Sequence, residues 1–338
     1  MNITSVVEQE TGGDFLLRWE VNPDTEGMMY IFSSHTDAYL ENFVPIGSVP
    51  INDRVFRVRQ TTNPNALAYR NFFQLRTATA SSGIVSNRVM PAQMIRNFRD
   101  AGGYFTTDNR QMRWGMLFRS GDLSSANLHD QALIKQLGIR TIVDFRSERT
   151  ARLFPIFSHP DINIVSLPLP PMDLIRLEEL KEDDSFTRSD AIRYMQQMYV
   201  RIIENQKEEF AIMFQLLTDI NNFPVLLTES LGKDGVGLAI YFIQYSLGIP
   251  HNLLMEDYMF NSRKFRETTR SLIDDAQDLS ESMQQAITAL LTVNRAYLNY
   301  AIQHIRQTYG SVSSYLETEL GVTSGVRSAL RRNLLYAF

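Results

Sequence analysis

The sequence predicts two domains: an all-β sandwich over residues 1–92, then an α/β domain over residues 93–338 with a central, mainly parallel sheet flanked by helices. Three observations carry that fold class. Short apolar or alternating runs recur between turn signals as far as residue 91, the pattern of an antiparallel sandwich. Further on, residues 140–145 (RTIVDF) and 225–227 (VLL) have the continuous hydrophobicity of strands buried on both faces. From residue 191 onward, apolar side chains recur at helical spacing. A chain of 338 residues is long enough for each domain to bury its own core.

In the first domain seven runs are read as strands: residues 3–9, 14–21, 28–35, 44–51, 54–60, 71–79 and 83–91. Gly12-Gly13, Asn22-Pro23, Asn52-Asp53, Asn63-Pro64 and Ser81-Ser82-Gly83 separate them, each a turn-forming cluster. Seven strands at this spacing suggest an immunoglobulin or fibronectin III-like sandwich, with Trp19 in its core. Such modules position or recognise partners, an inference that rests on fold analogy.

Strand alternation stops at residues 91–95. After the strand at 140–145, residues 168–190 begin Pro-rich and become charged, as in a flexible lid or insertion, with the acidic run 182–184 a solvated surface. The next helix places Ile192, Met195, Tyr199, Ile202 and Ile203 on one face, and a second repeats this with Phe210, Met213, Phe214 and Leu217. These are expected core residues. A buried helix over residues 236–247 should end before Gly248. Ser280 is a candidate N-cap for one long amphipathic helix running from Met283 through Ile287, Leu290, Tyr297 and Leu298 to Ile305. Arg327, Arg331 and Arg332 read as a solvated helix face.

Composition narrows the chemistry. A net charge of -5 gives no polyanion-binding surface, so nucleic acid is not an expected partner. The chain has no cysteine, which excludes disulfides, thiolate metal sites and thiol nucleophiles. The five histidines, His35, His129, His159, His251 and His304, are scattered without ligand spacing, so no metal and no cofactor is expected. No stretch approaches the ~20 apolar residues of a membrane span. Residues 1–13 have neither a basic nor an apolar signal region, as in a cytoplasmic chain or the mature part of an exported one.

The chemistry-bearing stretch is residues 224–239, PVLLTESLGKDGVGLA. A buried strand, a loop with Gly232, Gly235 and Gly237, and a helix N-terminus aim backbone N–H groups and a positive dipole end at one point, where an anion can sit. The three glycines are expected to supply positive φ and close backbone approach. In the parallel-sheet reading, Asp144 and Arg146 lie at or just past the C-terminal end of the strand at 140–145, the sheet edge where ligands bind. Arg99, Arg119 and Arg146 are therefore candidate cleft residues beside the loop, or scaffold residues paired with Asp100, Asp122 and Asp144.

Residues 97–104 (NFRDAGGY), 113–124 (RWGMLFRSGDLS) and 137–150 (LGIRTIVDFRSERT) resemble, in order, the N-terminal motifs of the bacterial tyrosine/serine protein phosphatase family of the cysteine-phosphatase superfamily. Residues 255–265 and the helical C-terminus are similar too, so the resemblance covers roughly residues 96–336. The family's loop pattern is His-Cys-x-x-Gly-Lys-Asp-Arg-Thr-Gly. Gly232, Lys233, Asp234 and Gly237 match it, and Ser230 and Leu231 fill the two free positions. Thr228 stands for the His, Glu229 for the nucleophilic Cys, Gly235 for the phosphate-binding Arg and Val236 for the Thr.

Those departures bear directly on function. A thiolate is a strong nucleophile whose pKa the loop N–H groups lower, and a guanidinium grips phosphoryl oxygens in a bidentate fork. Glu229 instead places a negative charge where phosphate must bind. At an effective dielectric of ~20, two unit charges ~4 Å apart repel by about 4 kcal/mol, roughly a thousandfold in binding. The expected function is thus a catalytically inactive homologue that binds or scaffolds, with an unknown protein or small anionic ligand as partner. Glu229 is expected to accept the loop N–H groups itself, reinforced by Lys233. The alternative is a phosphatase using Glu229 as nucleophile or base and Asp234 as acid.

Overall fold

The computed structural model describes residues 2–10, 13–36, 42–59, 70–169, 186–260, 270–271 and 279–337. The N-terminal region is strand-rich. Strands β1 (Asn2–Gln9), β2 (Phe15–Asn22) and β5 (Val55–Val58) form an antiparallel sheet in the order β1-β2-β5. Strands β3 (Met28–Ser34), β4 (Val44–Pro50), β6 (Phe72–Arg76) and β7 (Val85–Ser86) form a second, in the order β4-β3-β6-β7. Alternation explains the pairing of faces. In β2 the buried residues are Phe15, Leu17, Trp19 and Val21, and they pack with Met29 and Ile31 of β3 and Phe73 and Leu75 of β6. Phe15 and Phe73 meet edge to face, with ring centroids 5.5 Å apart. Trp19 is buried, and its Nε1–H donates to the Ile51 carbonyl at 3.0 Å, so the indole brings no unpaired donor into the core.

The seventh run departs from its expected length. Only Val85 and Ser86 belong to β7; the chain then leaves the sheet, and Val89 bridges to Arg99. Other contacts cross at the same place. The Gln111 side chain bonds both the N–H (2.9 Å) and the carbonyl (2.7 Å) of Ile84, and Trp114 Nε1–H donates to that carbonyl at 2.8 Å. Arg70 pairs with the buried Asp100 carboxylate at 2.5 Å and lies over the rings of Phe72, Trp114 and Phe118.

The C-terminal region is α/β. Strands β8 (Arg99–Asp100), β9 (Leu117–Ser120), β10 (Thr141–Asp144), β11 (Asn163–Ser166) and β12 (Val225–Thr228) form one sheet in the order β11-β10-β12-β9-β8. All pairings are parallel except β8 with β9. Successive side chains of the central strands enter opposite cores: Leu226 and Ile142 one, Leu227 and Val143 the other. The register aligns Ser120, Thr228 and Asp144, so β9, β12 and β10 end together at one edge.

Ten helices are described: α1 (Leu128–Gln136), α2 (Glu148–Leu153), α3 (Arg188–Asn205), α4 (Lys207–Leu216), α5 (Gly235–Leu247), α6 (His251–Met259), α7 (Glu281–Leu291), α8 (Arg295–Tyr309), α9 (Val312–Thr318) and α10 (Ser324–Leu334). Helix α5 follows β12 directly, is almost wholly buried, and stops at Gly248, whose φ of 88° suits a residue without Cβ. The expected helix beginning at Ala191 starts three residues earlier, where Thr187 and Asp190 form a reciprocal capping box. Met195, Tyr199, Ile202 and Ile203 of its predicted face are in the core, with Ile192 half-buried against it, and so are Phe210, Met213, Phe214 and Leu217.

The single long helix expected after Ser280 is two helices. Ser280 caps α7 by accepting from Met283 N–H, but the chain turns extended at Thr292. Asn294 then caps α8 through its side chain. An apolar stripe with helical spacing passes through a cap unnoticed, because the cap changes backbone direction and not the period of burial. The lid and the acidic run expected at 168–190 fall largely on residues 170–185, outside the described residues, as do residues 261–265. Among the described residues no helix is long and apolar enough to cross a membrane.

Candidate functional site

The site forms where β12 ends. Thr228 is buried and its hydroxyl donates to the Gly121 carbonyl at 2.8 Å, tying β12 to the end of β9. The loop then turns at Gly232, with φ 65°. A Cβ there would stand 2.4 Å from the Ser120 carbonyl oxygen, so only glycine fits. Gly235 and Gly237 differ from the expectation of positive φ, since both lie in the first turn of α5. What they supply is room. A Cβ on Gly235 would meet Leu169 Cδ1 at 2.5 Å and Glu229 Oε2 at 3.0 Å, and one on Gly237 would meet Tyr258 at 3.2 Å.

Glu229 reaches across the loop to the helix end. Its Oε1 accepts the Asp234 N–H at 2.6 Å, and its Oε2 accepts the N–H groups of Gly235 at 2.8 Å and Val236 at 3.3 Å. Asp234, at the N-cap position of α5, makes no side-chain cap of its own. A residue five positions upstream therefore supplies the cap, and its negative charge sits at the positive end of the helix dipole. Burial, and after it the Asp234 charge, nevertheless push the Glu229 carboxyl up to about 7, against the opposing pull of the N–H bonds and Lys233.

The Lys233 charge favours the Glu229 anion as expected, but its hydrogen bonds go to Asp234. Its ammonium donates to both carboxylate oxygens of Asp234, at 2.7 and 2.8 Å, and both side chains are buried. Tyr199 of α3 donates to Asp234 Oδ1 at 2.8 Å and shares a 2.8 Å hydrogen bond with Tyr258 of α6. Burial, then the Asp234 charge, hold both hydroxyls well above the ordinary tyrosine value, so they remain donors.

Beneath the loop, Arg119 of β9 donates from Nη2 to the Gly232 carbonyl at 2.9 Å and from Nη1 to Asp257 Oδ2 of α6 at 3.0 Å. Asn97 donates to the carbonyls of Leu231 (3.3 Å) and Gly232 (2.8 Å). Arg99 donates to the Asn97 side chain and, at 3.3 Å, to the Asp257 carbonyl. Burial, and next the Arg119 charge, lower its pKa. Arg146 stands apart. It grips Asp144 through Nε (2.9 Å) and Nη2 (2.8 Å), and reaches Asp122 at 2.6 Å and the Phe154 carbonyl at 2.8 Å. It reaches the loop through Asp122, whose N–H donates to the Ser230 carbonyl at 3.2 Å.

The three arginines are 1%, 1% and 2% exposed and engaged as described, so they frame the loop from below and do not line an open cleft. Of the carboxylates expected to pair with them, Asp122 and Asp144 serve Arg146, whereas Asp100 serves Arg70. Sequence reasoning did not find Asp257, Asn97 or Leu169, and it took Tyr199 for a packing residue only. The available signal was the phenol itself: a tyrosine buried among methionines needs a partner for its hydroxyl. Among the described residues no group of three or more His, Asp or Glu could hold a metal ion.

The sequence pattern of the tyrosine phosphatase family matches residues 90–336. A protein of Cupriavidus necator that carries a tyrosine-protein phosphatase name is 23% identical over 245 residues, 72% of this chain and 89% of that protein. Triple specificity protein phosphatase PtpB of Mycobacterium tuberculosis is 26% identical over 271 residues, 71% of this chain and 96% of that protein.

Proposed function

The chain belongs to the tyrosine phosphatase family, and from that premise we propose that it is a member without catalysis, acting as a binding or scaffold protein. One observation carries this reading: the Glu229 carboxylate accepts the N–H groups of Asp234, Gly235 and Val236. In the family pattern those positions follow the nucleophile and form the phosphate cradle. Here an internal anion holds the donors, no cysteine exists to attack phosphorus, and Gly235 has no guanidinium to replace what the carboxylate repels. Thr228 to Gly237, with Ser230 and Leu231 between, is on this reading a degenerate phosphate loop. Arg99, Arg119, Asp144 and Arg146 are its frame.

Residues 1–92 are on the same reading a fibronectin III or immunoglobulin-like module and residues 93–338 the phosphatase-like domain. The three-plus-four arrangement of antiparallel strands supports the first assignment. The partner is an unknown protein or a small anionic ligand.

A second reading, a phosphoric monoester hydrolase working through Glu229 and Asp234, has two supports. The Glu229 carboxyl sits near 7, a value suited to acid–base work, and the two relatives carry phosphatase names. Against it, both Glu229 oxygens are engaged by the loop, and Lys233 and Tyr199 hold Asp234. Release of phosphate from aryl phosphates and phosphoinositides, with and without divalent metals, separates the two. The inactive reading expects no turnover; turnover that disappears in Glu229→Gln would establish the enzyme.

A further inference from the structure

We propose that an external oxyanion enters the Glu229 loop only together with one proton, so that anion binding by this protein is coupled to protonation of the Glu229 carboxylate. The proposal rests on the reading of Glu229 as an internal occupant of the cradle, and adds how that occupant is displaced.

The N–H groups of Asp234, Gly235 and Val236 converge on one small volume, and the Glu229 carboxylate already fills it. An incoming tetrahedral anion competes for the same three groups. The carboxylate must then let go of them while staying tethered two covalent bonds from the Cβ of a residue at the end of β12.

The charges around the loop decide in which form it leaves. Arg119 of β9 is matched to Asp257 of α6, and Lys233 to its neighbour Asp234. Arg146, past the end of β10, is matched to Asp144 and Asp122. Arg99 of β8 bonds Asn97 and the Asp257 carbonyl. Arg99, Arg119 and Lys233 together balance Glu229, Asp234 and Asp257. The hydroxyls of Tyr104, Tyr199, Tyr258 and Tyr297 also face this cluster, and burial keeps all four protonated. Farther out, Arg88 donates to the Asp100 carbonyl and lies over the Tyr104 ring, and Arg188 opens α3. Adding a dianion while Glu229 stays charged leaves the buried cluster with two excess negative charges beside Asp234. Of these cations Arg99 holds no carboxylate, and it already donates to Asn97 and to the Asp257 carbonyl beneath the loop. A proton on Glu229 removes one of those charges and turns a tightly held acceptor into a weak one. By linkage, an anion that binds only the protonated form takes up that proton on binding.

The carboxyl's position near 7 places the exchange in the ordinary pH range. Below that value the loop is already primed. Above it, each pH unit should weaken binding tenfold.

Sulfate is the probe, because it keeps its double charge from about pH 5.5 to about 8.5, the range over which the carboxyl titrates. Calorimetry on the intact protein at constant ionic strength should give a sulfate Kd that is flat at the acid end and rises tenfold per pH unit at the alkaline end. Parallel titrations in two buffers of different ionisation enthalpy should report one proton taken up per sulfate at alkaline pH. Glu229→Gln, which keeps the shape and cannot titrate, should bind with a Kd that no longer depends on pH. A wild-type Kd independent of pH, the same slope in Glu229→Gln, or no sulfate bound by the wild type at the acid end each overturns the proposal. The buffer comparison needs only the wild-type chain, so the test survives a variant that does not fold. Turnover in the hydrolysis assay would defeat the inactive reading while leaving the proton count to stand or fall by itself.

Discussion

Glu229 Oε2 accepts the Gly235 N–H at 2.8 Å and lies 3.0 Å from where a Cβ on residue 235 would stand. Residues 229 and 235 thus form one arrangement. The carboxylate needs the N–H of residue 235, and it needs that residue to have no side chain.

Gly235→Ala should therefore cost about 1–3 kcal/mol, the usual penalty for overpacking a closed site. In a Glu229→Ala background the cost should fall, because one of the two atoms it meets is gone, with a coupling of about 0.5 kcal/mol or more. Urea denaturation of the two single variants and the double variant measures it. Simple additivity would mean that Leu169 alone sets the penalty.

Stability should depend on pH through Glu229. Its folded-state carboxyl, near 7, is raised above the unfolded value. The associated stabilisation is therefore fully present below the unfolded pKa of about 4.3 and lost as pH rises through about 7. Relative to Glu229→Gln, wild type should lose stability on the order of 4 kcal/mol between those limits, and nothing further above them. Denaturation midpoints of both proteins across that window supply the comparison, and a constant difference would contradict it.

The buried pair under the loop should be costly to break. Asp257→Ala leaves Arg119 without its carboxylate in a site 1% exposed, and should destabilise by about 3–5 kcal/mol. Thermal unfolding at neutral pH reads the loss, and a shift within error would show that water reaches the guanidinium.

The strand-rich region should be coupled to the α/β region through Arg70. Arg70→Met keeps an apolar stem over Trp114 and Phe118 but leaves the Asp100 carboxylate without its cation. The expected result is a loss of about 3–5 kcal/mol and, by calorimetry, a broader or split transition. A sharp unfolding transition unchanged in position would remove Arg70 from that role.

What the sequence made legible was local. The period of burial marked the strands and the faces of α3 and α4, and the run from Val225 to Gly248 displayed strand, turn, helix and stop in order. The reach of Glu229 to the helix N-terminus was readable because both belong to one short loop. What was hidden joined residues far apart in the chain. Nothing near Arg119 in sequence announces Asp257, 138 positions away, and the acids the local sequence offers as partners are Asp100, Asp122 and Asp144. Leu169, close to Gly235 in the fold, sits more than sixty positions upstream. The break between α7 and α8 was missed for the opposite reason: it is local, but Asn294 interrupts direction and leaves the apolar stripe unbroken.

The most direct test is crystallography of the protein at alkaline pH with phosphate present, read at residue 229. The account predicts the Glu229 carboxylate on the N–H groups of Asp234, Gly235 and Val236, with no anion in the loop. Phosphate seated on those three groups at that pH, with the carboxylate turned away, would contradict it.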